Sequence, residues 1–180
     1  MDNWNLENVK DLKGKNIIVT GANTGLGFET AQALAKKGAN VIMACRSQKR
    51  AQEAKDKILS KYPEAKIDII LLDLGNLSKV KKFVDDYKAK YKTLDILINN
   101  AGVMTTPYMK TDDGFEFQNG VNHLGHFALV AQLFDLLKST KNSRLVIVSS
   151  IAHKRGEINL DNYMFENEKE YTPMKSYSQS

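Results

Sequence analysis

The chain has 180 residues, 42% of them hydrophobic and 26% charged, which suits a single soluble domain with a real core. Its one cysteine, Cys45, excludes an intrachain disulfide, and no apolar run reaches the roughly 18–20 residues of a membrane span. The net charge of +5 is spread over lysines interleaved with acids, as from Lys79 to Lys92; without a basic run broken by aromatics it argues against nucleic acid and for an anionic cofactor. Met1 to Lys15 has no apolar segment of the secretory kind, so a cytoplasmic location is expected.

Five short apolar runs read as strands in chain order: Ile17–Val19, Val41–Ala44, Ile67–Leu72, Ile96–Ile98 and Leu145–Val148. Most are near-continuous rather than alternating, which predicts burial on both faces. Helical spacing falls between them. Ala31, Leu34 and Ala35 mark the first helix, and Ala51, Ala54 and Ile58 the second, with Ser47 as its N-cap. Leu77, Val80, Val84, Tyr87 and Tyr91 form one stripe behind a cap at Asn76. Phe117, Val121, Leu124, Val130, Leu133 and Leu137 predict one longer helix. The stretch from His153 to Glu170 reads as a long loop with at most one short helix. A last helix is expected from Thr172-Pro173, with Thr as cap and Pro in the first turn. Strand alternating with helix predicts an α/β, Rossmann-type, doubly wound parallel sheet. The chain stops one turn or so into that last helix. The expectation is therefore a single dinucleotide-binding domain over residues 1–180, incomplete at its C-terminal side.

The first strand runs into Thr20-Gly21-Ala22-Asn23-Thr24-Gly25-Leu26-Gly27, and a helix follows. Glycines let the backbone turn tightly and approach a ligand, and the helix N-terminus offers free N–H groups to phosphates. Gly21, Asn23, Thr24, Gly25, Leu26 and Gly27 are thus candidate pyrophosphate contacts. The second strand ends in Ala44-Cys45-Arg46-Ser47, without the carboxylate that would hydrogen-bond a ribose hydroxyl. Arg46, beside Ser47, offers a fork for a 2′-phosphate, so NADP(H) is the expected cofactor.

With these motifs the chain resembles the short-chain dehydrogenases/reductases. The glycine turn is similar to that family's cofactor turn. Asn99-Asn100-Ala101-Gly102 resembles its second motif, which places Asn100, Ala101 and Gly102 against the cofactor. Asp73-Leu74 resembles its adenine-contacting pair. Asn122-His123-Leu124-Gly125-His126-Phe127 resembles the helix of its catalytic Asn, and Val148-Ser149-Ser150 the strand end of its catalytic Ser. The wording is nearest to the retinol-dehydrogenase and WW-domain-oxidoreductase branch. The resemblance implies hydride transfer between the nicotinamide and a carbonyl or alcohol carbon, on a small or lipophilic substrate such as a retinoid or steroid. It implies Tyr as general acid or base, Ser bonded to the substrate oxygen, Lys lowering the Tyr pKa and Asn holding a relay water. A phenol, ordinarily near pKa 10, needs such a cation at neutral pH.

Tyr62–Lys66 and Tyr171–Lys175 both match Tyr-x-x-x-Lys literally. Tyr62 precedes Pro63 at a helix end remote from the nicotinamide, and Tyr171 precedes the cap at Thr172. Tyr177 is the better candidate, although the lysine would be the next residue after Ser180, which this chain does not contain. The candidate catalytic set is therefore Asn122, Ser150 and Tyr177, and this chain is expected to have little or no activity. A non-catalytic NADP(H)-binding form and an inactive fragment are the alternatives. No metal site is expected: His123 and His126 should pack or hydrogen-bond locally, and Cys45 should be core. Trp4 should tack the N-terminal arm to the body. Met104, Tyr108 and Met109 face either substrate or loop neighbours. The sequence is compatible with a homo-oligomer and names no partner beyond a small molecule.

Overall fold

A computed structural model of the protein describes residues 5–180. Trp4 lies outside them. The strands β1 (Asn16–Thr20), β2 (Asn40–Cys45), β3 (Lys66–Leu71), β4 (Ile96–Asn99) and β5 (Arg144–Ile147) form one parallel sheet in the order β3-β2-β1-β4-β5. Ile18 pairs with Ile42 on one side and with Leu97 on the other. The order reverses at β1, between β2 and β4. A crevice opens outside the carboxyl ends of the strands at such a point, and ligands bind there in open α/β sheets.

Both faces of the central strands are buried, as their unbroken apolar runs predict. Ile18, Ile42, Ile70 and Leu97 pack on one side with Val80, Phe83, Tyr87, Leu129 and Leu133. These come from α3 (Leu77–Lys90) and α4 (Gly125–Ser139). Ile17, Val19, Val41 and Met43 pack on the other side with Ala31, Ala35, Ala51, Ala54 and Ile58, from α1 (Gly25–Lys36) and α2 (Gln48–Lys61). The predicted caps are in place. Ser47 accepts from Arg50 N–H, Asn76 from Lys79 N–H and Thr172 from Lys175 N–H, the last at the start of α5 (Pro173–Gln179).

Three expectations need correction. β5 is not buried. It is an edge strand paired only with β4, and all four of its residues are exposed, Ile147 at 67%. The long helix over Phe117–Leu137 is not uniform: Asn119–Leu124 is a π-helix that runs into α4. The loop after β5 holds three single 3₁₀ turns rather than one, at Ile151–Arg155, Leu160–Asn162 and Glu168–Glu170.

Candidate active site

The glycine turn sits at the carboxyl end of β1. Gly21 and Gly25 have φ of +66° and +54°, a region that disfavours any side chain. Gly27 is helical, but a Cβ there would collide with the Gly21 carbonyl and the Asn100 side chain. Thr24 caps α1 without a side-chain hydrogen bond, so the first-turn N–H groups keep their donors free. No heavy atom lies within 4 Å of the Cβ position at Gly25. Free donors, an open cradle and the helix dipole together fit a pyrophosphate.

A cavity of about 670 Å³ is lined by Gly21, Asn23, Thr24, Leu26 and Gly27 from this turn. Arg46 and Ser47 reach it from the end of β2, and Asn100, Ala101 and Gly102 from the end of β4. Arg46 is exposed and has no ion-pair partner among the described residues. Arg50 and Val148 line the same cavity and escaped the sequence reasoning. The signal for Arg50 was its place one turn after the Ser47 cap. Asp73 lines a neighbouring groove of about 700 Å³ that shares Arg46. It is held by Lys79 at 3.1 Å and accepts from Gly75 N–H at 3.2 Å. Leu74 is buried, packed so closely that Gly125 has no room for a side chain.

A second cavity, about 220 Å³, shares Asn100, Ala101, Gly102 and Val148 with the first. It brings together Asn122 from the π-helix, Ser150 from the end of β5 and Tyr177 from α5, with Ser180 and His123 beside them. Asn122 Oδ1 accepts from Val103 N–H at 2.8 Å, and its Nδ2 donates to Val103 C=O and Ser180 Oγ, both at 2.9 Å. Ser150 caps the following 3₁₀ turn by accepting from Ala152 N–H at 3.2 Å. π-Helical turns are rare and frequently fall at functional sites. Among the described residues, no Lys or Arg lines this cavity.

The two literal Tyr-x-x-x-Lys matches lie elsewhere. Tyr62 caps the end of α2 and packs against the α1/α2 core. Tyr171 donates to Thr106 C=O at 2.7 Å and accepts from Gln118 Nε2 at 3.1 Å, and its ring meets that of Tyr108 edge-on. It ties loops together. Met104 and Met109 are exposed. His123 stacks on Phe127 with ring centroids 6.3 Å apart, whereas His126 is buried and hydrogen-bonded through both nitrogens. Burial pushes the Cys45 thiol up to about 11. Cys45 is therefore expected to resist alkylation in the native protein and to react on denaturation; fast native labelling at neutral pH would contradict this.

The doubly wound sheet and the glycine turn at its switch point define a fold of the Rossmann, nucleotide-binding class. The family model for short chain dehydrogenase matches residues 15–164, and the chain belongs to that family. It is 43% identical over 169 residues to Retinol dehydrogenase 13 of Homo sapiens, covering 94% of this chain and 51% of that protein. It is 42% identical over 177 residues to the WW domain-containing oxidoreductase of Gallus gallus, covering 95% of this chain and 43% of that protein. The chain spans about half the length of the curated relatives it matches. An uncharacterized protein from Mycobacterium Paratuberculosis superposes with a TM-score of 0.87 at 41% identity, covering 98% of this chain and 61% of that one. A short chain dehydrogenase from Escherichia coli CFT073, solved with NADPH, shares the fold with a TM-score of 0.73 at 22% identity, covering 94% of this chain and 66% of that one. No helix among the described residues is long and apolar enough to cross a membrane.

Proposed function

We propose that the chain carries the cofactor site and substrate-oxygen site of an NADP(H)-dependent oxidoreductase that interconverts an alcohol and a carbonyl. The observation that carries this is the shared wall: Asn122, Ser150 and Tyr177 line a cavity that has Asn100, Ala101 and Gly102 in common with the phosphate turn. Gly21, Gly25, Leu26 and Gly27 would hold the pyrophosphate, and Arg46, Ser47 and Arg50 the 2′-phosphate. When bound, the nicotinamide supplies or accepts the hydride. The Ser150 hydroxyl donates to the substrate oxygen and Tyr177 exchanges a proton with it. Asn122 holds the Val103 backbone, and with it the loop that borders the cavity. A lipophilic substrate such as a retinoid suits the exposed apolar Ile147 and Val148 that line this cavity, and retinol is in the names of several relatives.

A second function, NADP(H) binding without chemistry, is favoured for the 180-residue polypeptide on its own. Among the described residues its cavity presents no Lys or Arg beside the Tyr177 hydroxyl. The test is a chimera in which Ser180 is followed by the part of human Retinol dehydrogenase 13 beyond the aligned region. The 180-residue chain should bind NADPH and reduce all-trans-retinal little or not at all. The chimera should reduce it, and Tyr177→Phe in the chimera should abolish the reaction. Undiminished reduction by the Tyr177→Phe chimera would overturn the role of Tyr177. Robust turnover by the short chain would overturn the need for the cation.

A further inference from the structure

His126 joins the two cavities through a chain of hydrogen bonds whose direction is fixed. Its Nδ1 lies 2.9 Å from the Asn122 carbonyl oxygen. A carbonyl only accepts, so Nδ1 carries the proton and Nε2 is the bare acceptor. Nε2 lies 3.0 Å from Thr20 Oγ1, which therefore donates to it. Thr20 Oγ1 accepts in turn from the backbone N–H groups of Asn100 and Ala101, each at 2.9 Å. A hydroxyl has one proton and two lone pairs, so Thr20 has nothing left to offer. Thr20 is 0% and His126 6% exposed, which keeps water from substituting.

A second proton on His126 breaks this arrangement. Nε2–H would point at an oxygen whose lone pairs are both taken. Thr20 would have to turn its own proton toward Ile98 C=O, 3.4 Å away, and let go of one backbone N–H. The released residue, Asn100 or Ala101, lines both cavities.

We infer that His126 is a positioning residue that holds the Asn100–Ala101 backbone against the cofactor site while neutral, and that its protonation releases this backbone and weakens NADP(H) binding. The ligand in this statement rests on the cofactor assignment above; the switch itself does not. Few groups compete for control of the ring. β1 presents Thr20, and the end of β4 presents Asn99 and Asn100. The 3₁₀ turn after β5 brings His153, α5 brings Tyr177, and its own helix adds His123; among the described residues no carboxylate, Lys or Arg lines the cavity it borders. Burial holds the His126 imidazole below its ordinary 6.5; the bond to the Asn122 carbonyl opposes this and His123 adds to it. The unfolded chain thus takes up this proton first as pH falls. The stabilisation is full above about 6.5 and is lost as pH drops through the folded value.

The test has two arms. In the first, NADP⁺ is titrated by calorimetry at about pH 8 and at a pH below the His126 titration, located by NMR of the ring, into the wild type, His126→Gln and His123→Gln. Affinity of the wild type and of His123→Gln should fall about tenfold more than that of His126→Gln, which cannot titrate. Equal falls in all three proteins would overturn the inference. The second arm uses wild-type protein without ligand. The Asn100 and Ala101 amides should lose hydrogen-exchange protection, relative to the neighbouring sheet, at the pH where His126 protonates. Unchanged protection through that titration would overturn it too. Absence of NADP⁺ binding at either pH would sink the cofactor assignment instead, and the ligand-free arm would still decide the role of His126.

Discussion

Gly27→Ala should cost the protein nearly all its NADP⁺ affinity and lower its melting temperature. The added Cβ would lie within contact distance of the Gly21 carbonyl oxygen and of the Asn100 amide nitrogen. Neither is a free side-chain end. Gly21 is pinned by its own N–H to Ala44 C=O at 2.9 Å, and Asn100 Nδ2 donates to Thr20 C=O at 2.8 Å. Relief therefore means moving the backbone of the glycine turn away from α1, which widens the donor cradle. Overpacking of this sort costs about 1–3 kcal/mol of stability. The effect on binding should be larger, on the order of a hundredfold, because every phosphate donor in the turn shifts together. Thermal unfolding followed by circular dichroism, with NADP⁺ calorimetry on the same samples, checks both halves. A variant that binds as the wild type does would show that the turn does not hold the pyrophosphate.

Arg46→Asp should reverse the choice of cofactor. Arg46 stands exposed at the end of β2, and no carboxylate among the described residues pairs with it. Its fork is free for a phosphate. A hydrogen bond to a charged group contributes about 1.5–3 kcal/mol, which is roughly ten- to a hundredfold in NADP⁺ affinity. The introduced carboxylate repels a 2′-phosphate and accepts from ribose hydroxyls instead, so NAD⁺ binding should strengthen. Arg50 lines the same cavity and retains part of the attraction; Arg50→Ala alone should weaken NADP⁺ binding severalfold without favouring NAD⁺. Parallel titrations of both variants with the two nucleotides measure this. An unchanged nucleotide preference in Arg46→Asp would remove Arg46 from the site.

The parts of the fold governed by local chemistry could be read directly from the residues. The five strands, the caps at Ser47, Asn76 and Thr172 and the glycine turn each depend on a few neighbouring side chains. Burial of β5 could not be read, because Leu145–Val148 is as apolar as any central strand. Whether a neighbour covers it is a tertiary fact. The π-helix at Asn119–Leu124 was hidden for a related reason. Helical periodicity barely registers one extra residue, and Gly120 owes its fit to Thr111 in a preceding loop. The candidate site was legible wherever a motif carried it. Arg50 was missed because cavity lining depends on helix phase, and the Thr20–His126–Asn122 chain because its members meet only across β1 and α4. His126 was expected to bond locally. It does so through Nδ1, while Nε2 reaches Thr20, 106 residues away in sequence.

If the glycine turn and Arg46 form an NADP(H)-selective site, calorimetric titration of the unmodified 180-residue chain with NADP⁺ and with NAD⁺, at the same pH and salt, will show it. NADP⁺ should bind at least about tenfold tighter, in line with one charge-assisted contact, and raised ionic strength should narrow that gap by screening Arg46. Equal affinities, or a preference for NAD⁺, would contradict a 2′-phosphate site at Arg46.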